Sequence, residues 1–390
     1  MLNFLAEAKI IEKELVSWRR DFHRHPELRF QEVRTAGIVA QHLSQLGFEI
    51  QTGIGQTGVV GTLKGTDDGP VVLMRFDMDA LPINEENEVE YVSQNPGVMH
   101  ACGHDTHVAM GMGCARILSQ HRTMFPGTVK LVFQPAEEGA GGALAMIEDC
   151  VLENPKPDYS FGIHIDATRP PGLVAIGEGP ILAAADSFRI FVRGKGGHGA
   201  LPEQTVDALI VATQIVNSLQ TIMSRNIGLF DSAIISVCSM QAGNVFNIIP
   251  ETAEILGTIR TYDQNIQNLI HKRLKDVAVN TANAFEASAE VKIDKIVPAA
   301  INDPAVAAVV RKIAAGIFGD QNVETDYRVA PSDDIAEFLS AAPGCQIILG
   351  AAPENSFPHH NSRFDIDESA MPYGVALLCH SAAHFLRSGE

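Results

Sequence analysis

Apolar and polar positions follow two periods in the first half of the chain. Residues 2–15 and 33–46 place apolar side chains three to four apart, the spacing that gathers them on one helix face. Residues 59–64 (VVGTLK), 71–76 (VVLMRF) and 128–134 (TVKLVFQ) are short, mostly apolar runs, and 108–120 returns to helical spacing. Runs of that kind predict strands buried on both faces. Strands alternating with helices predict an α/β domain with a largely parallel sheet.

From residue 184 the pattern changes. FRIFV alternates with period two, 205–225 is a long amphipathic helix, and SAIISVCSM and ETAEILGTIRTYD read as strands. A second helix at 264–285 and the strand SAEVKIDKIVP complete β-α-β-β-α-β, the split βαβ order of a two-layer α+β, ferredoxin-like sandwich. A helix from 304, a strand at 345–349 and a helix from 370 then resume the first pattern. The economical reading is one discontinuous α/β domain, 1–183 with 300–390, interrupted by an inserted domain at 184–299. Two domains also suit 390 residues, too many for one average core.

Composition narrows the function classes. With 29 basic and 47 acidic residues the formal charge is −18, and no block of Lys or Arg interrupts it, which argues against a nucleic-acid partner. The longest apolar stretches fall short of a membrane span, and the first 20 residues mix charged and apolar positions unlike a signal peptide. Six cysteines (102, 114, 150, 238, 345, 379) show no paired spacing, so no disulfide framework is expected. The expectation is a cytoplasmic protein.

Candidate chemistry gathers in five short segments: RFDMDALP (75–82), HACGHD (100–105), QPAEEG (134–139), FGIHI (161–165) and PHHNS (358–362). A lone His on an apolar strand, such as His164, is ordinarily a core residue, and two adjacent glutamates are ordinarily solvated surface. Glu137 and Glu138, however, follow a strand and a Pro-Ala turn and precede a glycine, which puts them at a strand end, where such sheets place their sites. Hydrolysis with a metal needs one carboxylate as ligand and another free to move a proton, and one glutamate cannot do both. Cys102 and His104 alternate, so in an extended loop they face one side and can reach one metal or two neighbouring ones. A thiolate with imidazoles suits Mn, Zn, Co or Ni better than Mg or Ca. From this segment alone a Cys nucleophile with a His base stays open. Asp105 reads as a group that fixes a histidine tautomer. The Gly-rich GKGGHGA (194–200) lacks the patterns of a nucleotide loop.

Taken together, RRDFHRHPELRFQE, MHACGHDTH, VFQPAEEGAGGA, GIH, RGKGGHGALP, NIIPETAEILGTIRT and HHNSRFDIDE resemble peptidase family M20, subfamily D. That amidohydrolase group includes hippurate hydrolases, N-acyl-amino-acid aminoacylases and plant auxin-conjugate hydrolases. The resemblance implies two divalent metal ions held by Cys102, His104, Glu138, His164 and His360, with His359 the fallback for the last. It implies Glu137 as general base and acid and Asp79 as the carboxylate behind the metal ligands. In the insert it implies His198 at the scissile group's oxygen and Asn247 and Arg260 at a substrate carboxylate. The insert would act as lid and as the dimerisation domain of a homodimer or higher homo-oligomer.

The expected reaction is hydrolysis of a small N-acyl-L-amino acid to a carboxylic acid and an amino acid. A dipeptidase, carboxypeptidase or carbamoylase on the same ligands is the alternative enzyme, and a metal-binding conjugate sensor the alternative without turnover. Three places depart from the family's pattern: Ser332-Asp333-Asp334-Ile335 where many relatives have S-E-D-F, Pro202-Glu203 where many have Pro-His, and Ile165-Asp166 after the GIH histidine.

Overall fold

Every residue of the strand Val71–Asp77 is buried, and so is every residue of Gly344–Gly350. Both lie inside an eight-stranded sheet in a computed structural model that describes residues 3–139 and 141–387. Side to side the strands run Glu49–Ile54, Gly58–Lys64, Thr128–Gln134, Val71–Asp77, Tyr159–Asp166, Gly344–Gly350, Val174–Ala175 and Val323–Glu324. The four strands from Thr128–Gln134 to Gly344–Gly350 pair in parallel, as their apolar runs predict. Antiparallel pairs flank them at Gly58–Lys64 and Val174–Ala175. The edge strand Glu49–Ile54 escapes the sequence reading because most of its positions are exposed and no apolar run marks it.

Helix His104–Gln120 lies against this sheet with nearly all of its residues buried. Gly111 makes the approach possible, since a Cβ there would come within 2.8 Å of the Phe76 and Phe133 rings. The helix expected at 2–15 is two: Phe4–Ile10 and Glu12–Arg24 meet at Ile11, whose N–H returns to Glu7 and Lys9 carbonyls. The second runs on through the RRDFHR stretch. Its i, i+4 spacing puts Arg19 and His23 on one buried face.

The described residues of 1–181, 300–328 and 333–387 form one unit; 182–299 and 329–332 form a second. In the second, four antiparallel strands run in the order Ala233–Ala242, Thr252–Thr261, Ala184–Arg193, Ser288–Val297. Helices Ala208–Arg225 and Gln264–Ala284 bury their apolar faces in its core, and Asp207 and Asp263 cap their N-termini. Residues 329–332 join this unit through the Leu182–Val329 bridge and a bond from Ala183 N–H to the Pro331 carbonyl. Among the described residues no helix is long and apolar enough to cross a membrane.

Candidate metal centre

Parallel strands deliver their C-terminal ends to one edge of a sheet. Asp77 closes Val71–Asp77 opposite Gln134, the last residue of Thr128–Gln134. The chain beyond each strand carries Asp79 and the Glu137–Glu138 pair. Asp79, 1% exposed, ties the two strand ends to the helix that starts at His104. Its Oδ1 lies 3.2 Å from His104 Nδ1 and accepts the Glu137 N–H at 3.0 Å, while Oδ2 accepts the Glu138 N–H at 3.0 Å.

Cys102 and His104 reach the site differently from the extended loop expected of them. Between them Gly103 adopts φ +90°, a left-handed turn in which a Cβ would sit 2.4 Å from Ile165, and the helix starts at His104 rather than at 108. The turn still brings the donors together. Ligand atoms of Cys102, His104 and His164 lie within 4.8 Å of one another, as do those of Cys102, Glu138 and His360, and those of His104, Glu137 and Glu138. The three clusters share members, so Cys102, His104, Glu138, His164 and His360 form one connected set with Glu137 beside it. His359 is close as well, its Nδ1 3.7 Å from Cys102 Sγ, but its Nε2 already accepts the Ala167 N–H at 3.2 Å.

Hydrogen bonds on the far nitrogens turn the near ones toward this centre. His104 Nδ1 meets the Asp79 carbonyl at 2.9 Å, and His164 Nδ1 meets the Ile165 carbonyl at 2.7 Å. That leaves His164 Nε2 3.5 Å from Cys102 Sγ. His104 Nε2 is buried without a hydrogen-bond partner, and Glu138 Oε1, 3.1 Å from His360 Nε2, makes no well-directed bond either. Orphaned buried polar atoms converging with a thiol are what a cation site requires. The residues therefore fit a bound metal.

Burial also sets the proton affinities around the site. Burial pushes the Glu137 carboxyl well above the ordinary range, reinforced by Asp333, Asp334 and Glu138, and burial raises the Cys102 thiol while lowering His164. Two non-glycine residues of the site, Ala136 at φ +52° and His360 at φ +63°, adopt the left-handed region. His360 N–H is tied to the Ala101 carbonyl at 2.8 Å.

Several neighbours have roles the sequence did not disclose. His107 pairs with Asp77 Oδ1 at 2.5 Å and accepts the Ile165 N–H at 3.0 Å, so both of its nitrogens serve the scaffold. Asp105 does fix a histidine, but it is His23, at 2.8 Å, together with Arg19 at 2.9 Å. Arg75 is fully enclosed and binds Asp77 (2.6 Å), Asp334 (2.7 Å), Asp333 (3.0 Å) and Gln134 (2.7 Å). Asp333 and Asp334, the departure from S-E-D-F, thus lie in a buried ion network, with Ile335 in the core. The available signal was an Arg inside an apolar strand, which demands buried partners.

In the second unit, His198 and Asn247 are exposed neighbours. Gly197–His198 pairs with Ile248–Ile249, and Gly199 N–H donates to the Asn247 carbonyl at 2.9 Å. Arg260 is half-buried on the strand Thr252–Thr261 and donates to the Ile259 carbonyl at 3.0 Å and to Thr258. Pro202 and Glu203 lie in an exposed single turn, Pro202–Gln204.

The profile of Peptidase family M20/M25/M40 matches residues 73–384, a stretch that contains the whole donor set. The chain belongs to that family. A relative named thermostable carboxypeptidase 2, from Saccharolobus solfataricus, is 40% identical over 382 residues, 96% of this chain and 95% of its own. An N-acetylcysteine deacetylase of Bacillus subtilis is 36% identical over 93% of this chain and 94% of its own. A crystal structure of the Bacillus subtilis YXEP protein, described as a dinuclear metal binding peptidase from M20 family, superposes with a TM-score of 0.86 at 33% identity, covering 97% and 99% of the two chains. This M20 chain is therefore a hydrolase acting on amides. The overlapping donor clusters and the dinuclear neighbour support two metal ions.

Proposed function

We propose that the chain hydrolyses the amide bond of N-acyl-L-amino acids, releasing a carboxylic acid and an amino acid. The observation that carries the reading is the pair Glu137–Glu138, whose backbone N–H groups are both held by Asp79 while Glu138 groups with Cys102 and His360 and Glu137 stands 4.0 Å from His104 Nε2. Cys102, His104, Glu138, His164 and His360 are the metal ligands in this reading. Their thiol and imidazole donors favour Zn, Mn, Co or Ni. When bound, the ions would supply Lewis acidity, polarising an amide carbonyl and lowering the pKa of water.

Glu137 then acts as the general base. Its raised proton affinity, set first by burial and then by Asp333, Asp334 and Glu138, suits a carboxylate that takes a proton from water and returns it to the leaving nitrogen. Asp79 keeps the His104 ring and the Glu137–Glu138 backbone in fixed register. His198 stabilises the developing oxyanion, and Arg260 with Asn247 binds the substrate carboxylate, where a guanidinium fork matches two oxygens. These substrate roles rest on the motif resemblance.

The inserted unit serves as a lid and as the dimerisation element. Its strand Ala233–Ala242 is a sheet edge, and Leu229 (91% exposed), Phe230 (95%) and Phe246 (101%) stand out as apolar residues on the same unit. The free cysteines accord with action in the cytoplasm.

The test is a panel of N-acetyl, N-benzoyl, dipeptide and N-carbamoyl substrates offered to metal-stripped protein reloaded with Zn, Mn, Co or Ni. Faster cleavage of the N-acyl substrates supports the reading. Preference for dipeptides transfers it to the carboxypeptidase alternative, which the 40% identical relative keeps in view.

A further inference from the structure

The motif HRHPELRFQE, far upstream of every proposed ligand, contributes no donor to the metal clusters, yet it contains one of the most enclosed carboxyl groups in the molecule. Glu32 is 0% exposed. Its Oε1 accepts the Ala136 N–H at 3.0 Å and the Phe30 N–H at 2.9 Å, and its Oε2 accepts the Thr57 hydroxyl at 2.5 Å. Among the described residues no Lys, Arg or His pairs with it.

A buried carboxyl group without a counter-ion destabilises a fold unless its hydrogen bonds compensate. Here the bonds end on one strained point. Ala136 is itself 0% exposed and holds φ +52° immediately before Glu137. Its N–H, sealed from water, has to be paired inside the protein.

We infer that Glu32 is a positioning residue for the Glu137–Glu138 turn, acting through the Ala136 backbone. With it, three successive N–H groups end on buried carboxylates: Ala136 on Glu32, Glu137 and Glu138 on Asp79. The same upstream segment grips the turn elsewhere. Arg29 donates to the Glu138 carbonyl at 3.2 Å, and the Glu27 carbonyl accepts the N–H of Ala80, next to Asp79, at 2.8 Å. Residues 27–32 thus hold both the Asp79 segment and the glutamate turn. Reacting groups displaced by ~1 Å lose roughly a hundredfold in rate. A loosened Ala136 moves Glu137 directly.

The inference rests on Glu137 being the general base, and the experiment separates the two claims. In E32D the carboxylate is drawn back by one methylene; in E32A it is removed; in E32Q an oxygen still accepts both N–H groups while the Thr57 hydroxyl turns to accept from the amide. All are loaded with metal, checked for two ions per chain, and assayed well below their unfolding temperatures. We expect E32D and E32A to lose kcat by tenfold or more with KM within about threefold, and E32Q to stay within about threefold of the parent, the displacement argument setting the scale. T57V, which keeps the bond to Ala136, should lose thermal stability but keep kcat. The decision is read from whichever of E32D and E32A folds. If neither folds, or if the folded, metal-loaded variant turns over at the parent rate, or if T57V falls as far, the role is structural and the inference is overturned. E137Q assayed alongside marks the other failure: full turnover there removes the general base, whereas an inactive E137Q beside a fully active E32D removes only Glu32.

Discussion

Asp79 Oδ1 lies 3.2 Å from His104 Nδ1, and the same carboxylate takes the N–H groups of both Glu137 and Glu138. One buried side chain therefore sets the ring of one proposed ligand and the backbone of another. In D79N an amide NH2 replaces one acceptor oxygen and opposes a backbone N–H, donor against donor. Groups behind ligands of this kind are worth 10–100-fold in metal affinity. Calorimetric titration of metal-free protein with Zn or Mn should show D79N weaker by about that factor; unchanged affinity assigns Asp79 to the fold alone.

The Arg75 network predicts a stability effect. Removing the guanidinium in R75M leaves the carboxylates of Asp77, Asp333 and Asp334 buried together. Breaking a buried ion pair by deleting one partner destabilises by about 3–5 kcal/mol. Urea unfolding of R75M should show a loss of that size, whereas a change under about 1 kcal/mol indicates that water or protonation relieves the carboxylates.

Lys130 gives a pH signature away from the site. Its Nζ is buried and donates to the Glu153 and Pro155 carbonyls at 2.8 and 3.0 Å, and burial lowers its pKa from 10.5 to about 8. Between those values the unfolded chain binds the proton more tightly than the native one, so stability rises with pH. Subtracting the stability curve of K130M from that of the parent should reveal this rise between pH 8 and 10.5. A flat difference contradicts the shifted pKa.

The proposed dimerisation role of the insert makes a prediction about assembly. Introducing charge at two exposed apolar positions of the insert, as F230D with F246D, should convert a dimer into a monomer by light scattering while leaving the helical signal intact. A parent protein that is already monomeric removes the dimerisation role.

These expectations show what the sequence makes legible. Apolar periodicity located the parallel strands because burial on both faces leaves an unbroken run, as in Val71–Asp77 and Thr128–Gln134. The exposed edge Glu49–Ile54 leaves no such trace, and the break at Ile11 depends on packing rather than on a Pro or Gly. At the site, residue types marked five donor-rich segments, and the resemblance to family M20 picked out Cys102, His104, Glu138, His164 and His360, whose ligand atoms the fold gathers. Contacts between distant segments were not legible. Arg75 with Asp333 and Asp334, Asp105 with His23, and Glu32 with Ala136 are tertiary pairings between segments far apart in the chain, and no local pattern names the partner.

The central claim is that Glu137 moves the proton while its neighbour Glu138 holds metal. E137Q keeps the size and polarity of the side chain but cannot accept a proton. Metal analysis and kcat on the preferred N-acyl substrate, measured on one preparation, test it most directly. The account predicts two ions per chain and turnover reduced by at least about 10²–10⁴-fold, the share general acid–base catalysis supplies. Parent-level turnover with both ions bound would contradict it.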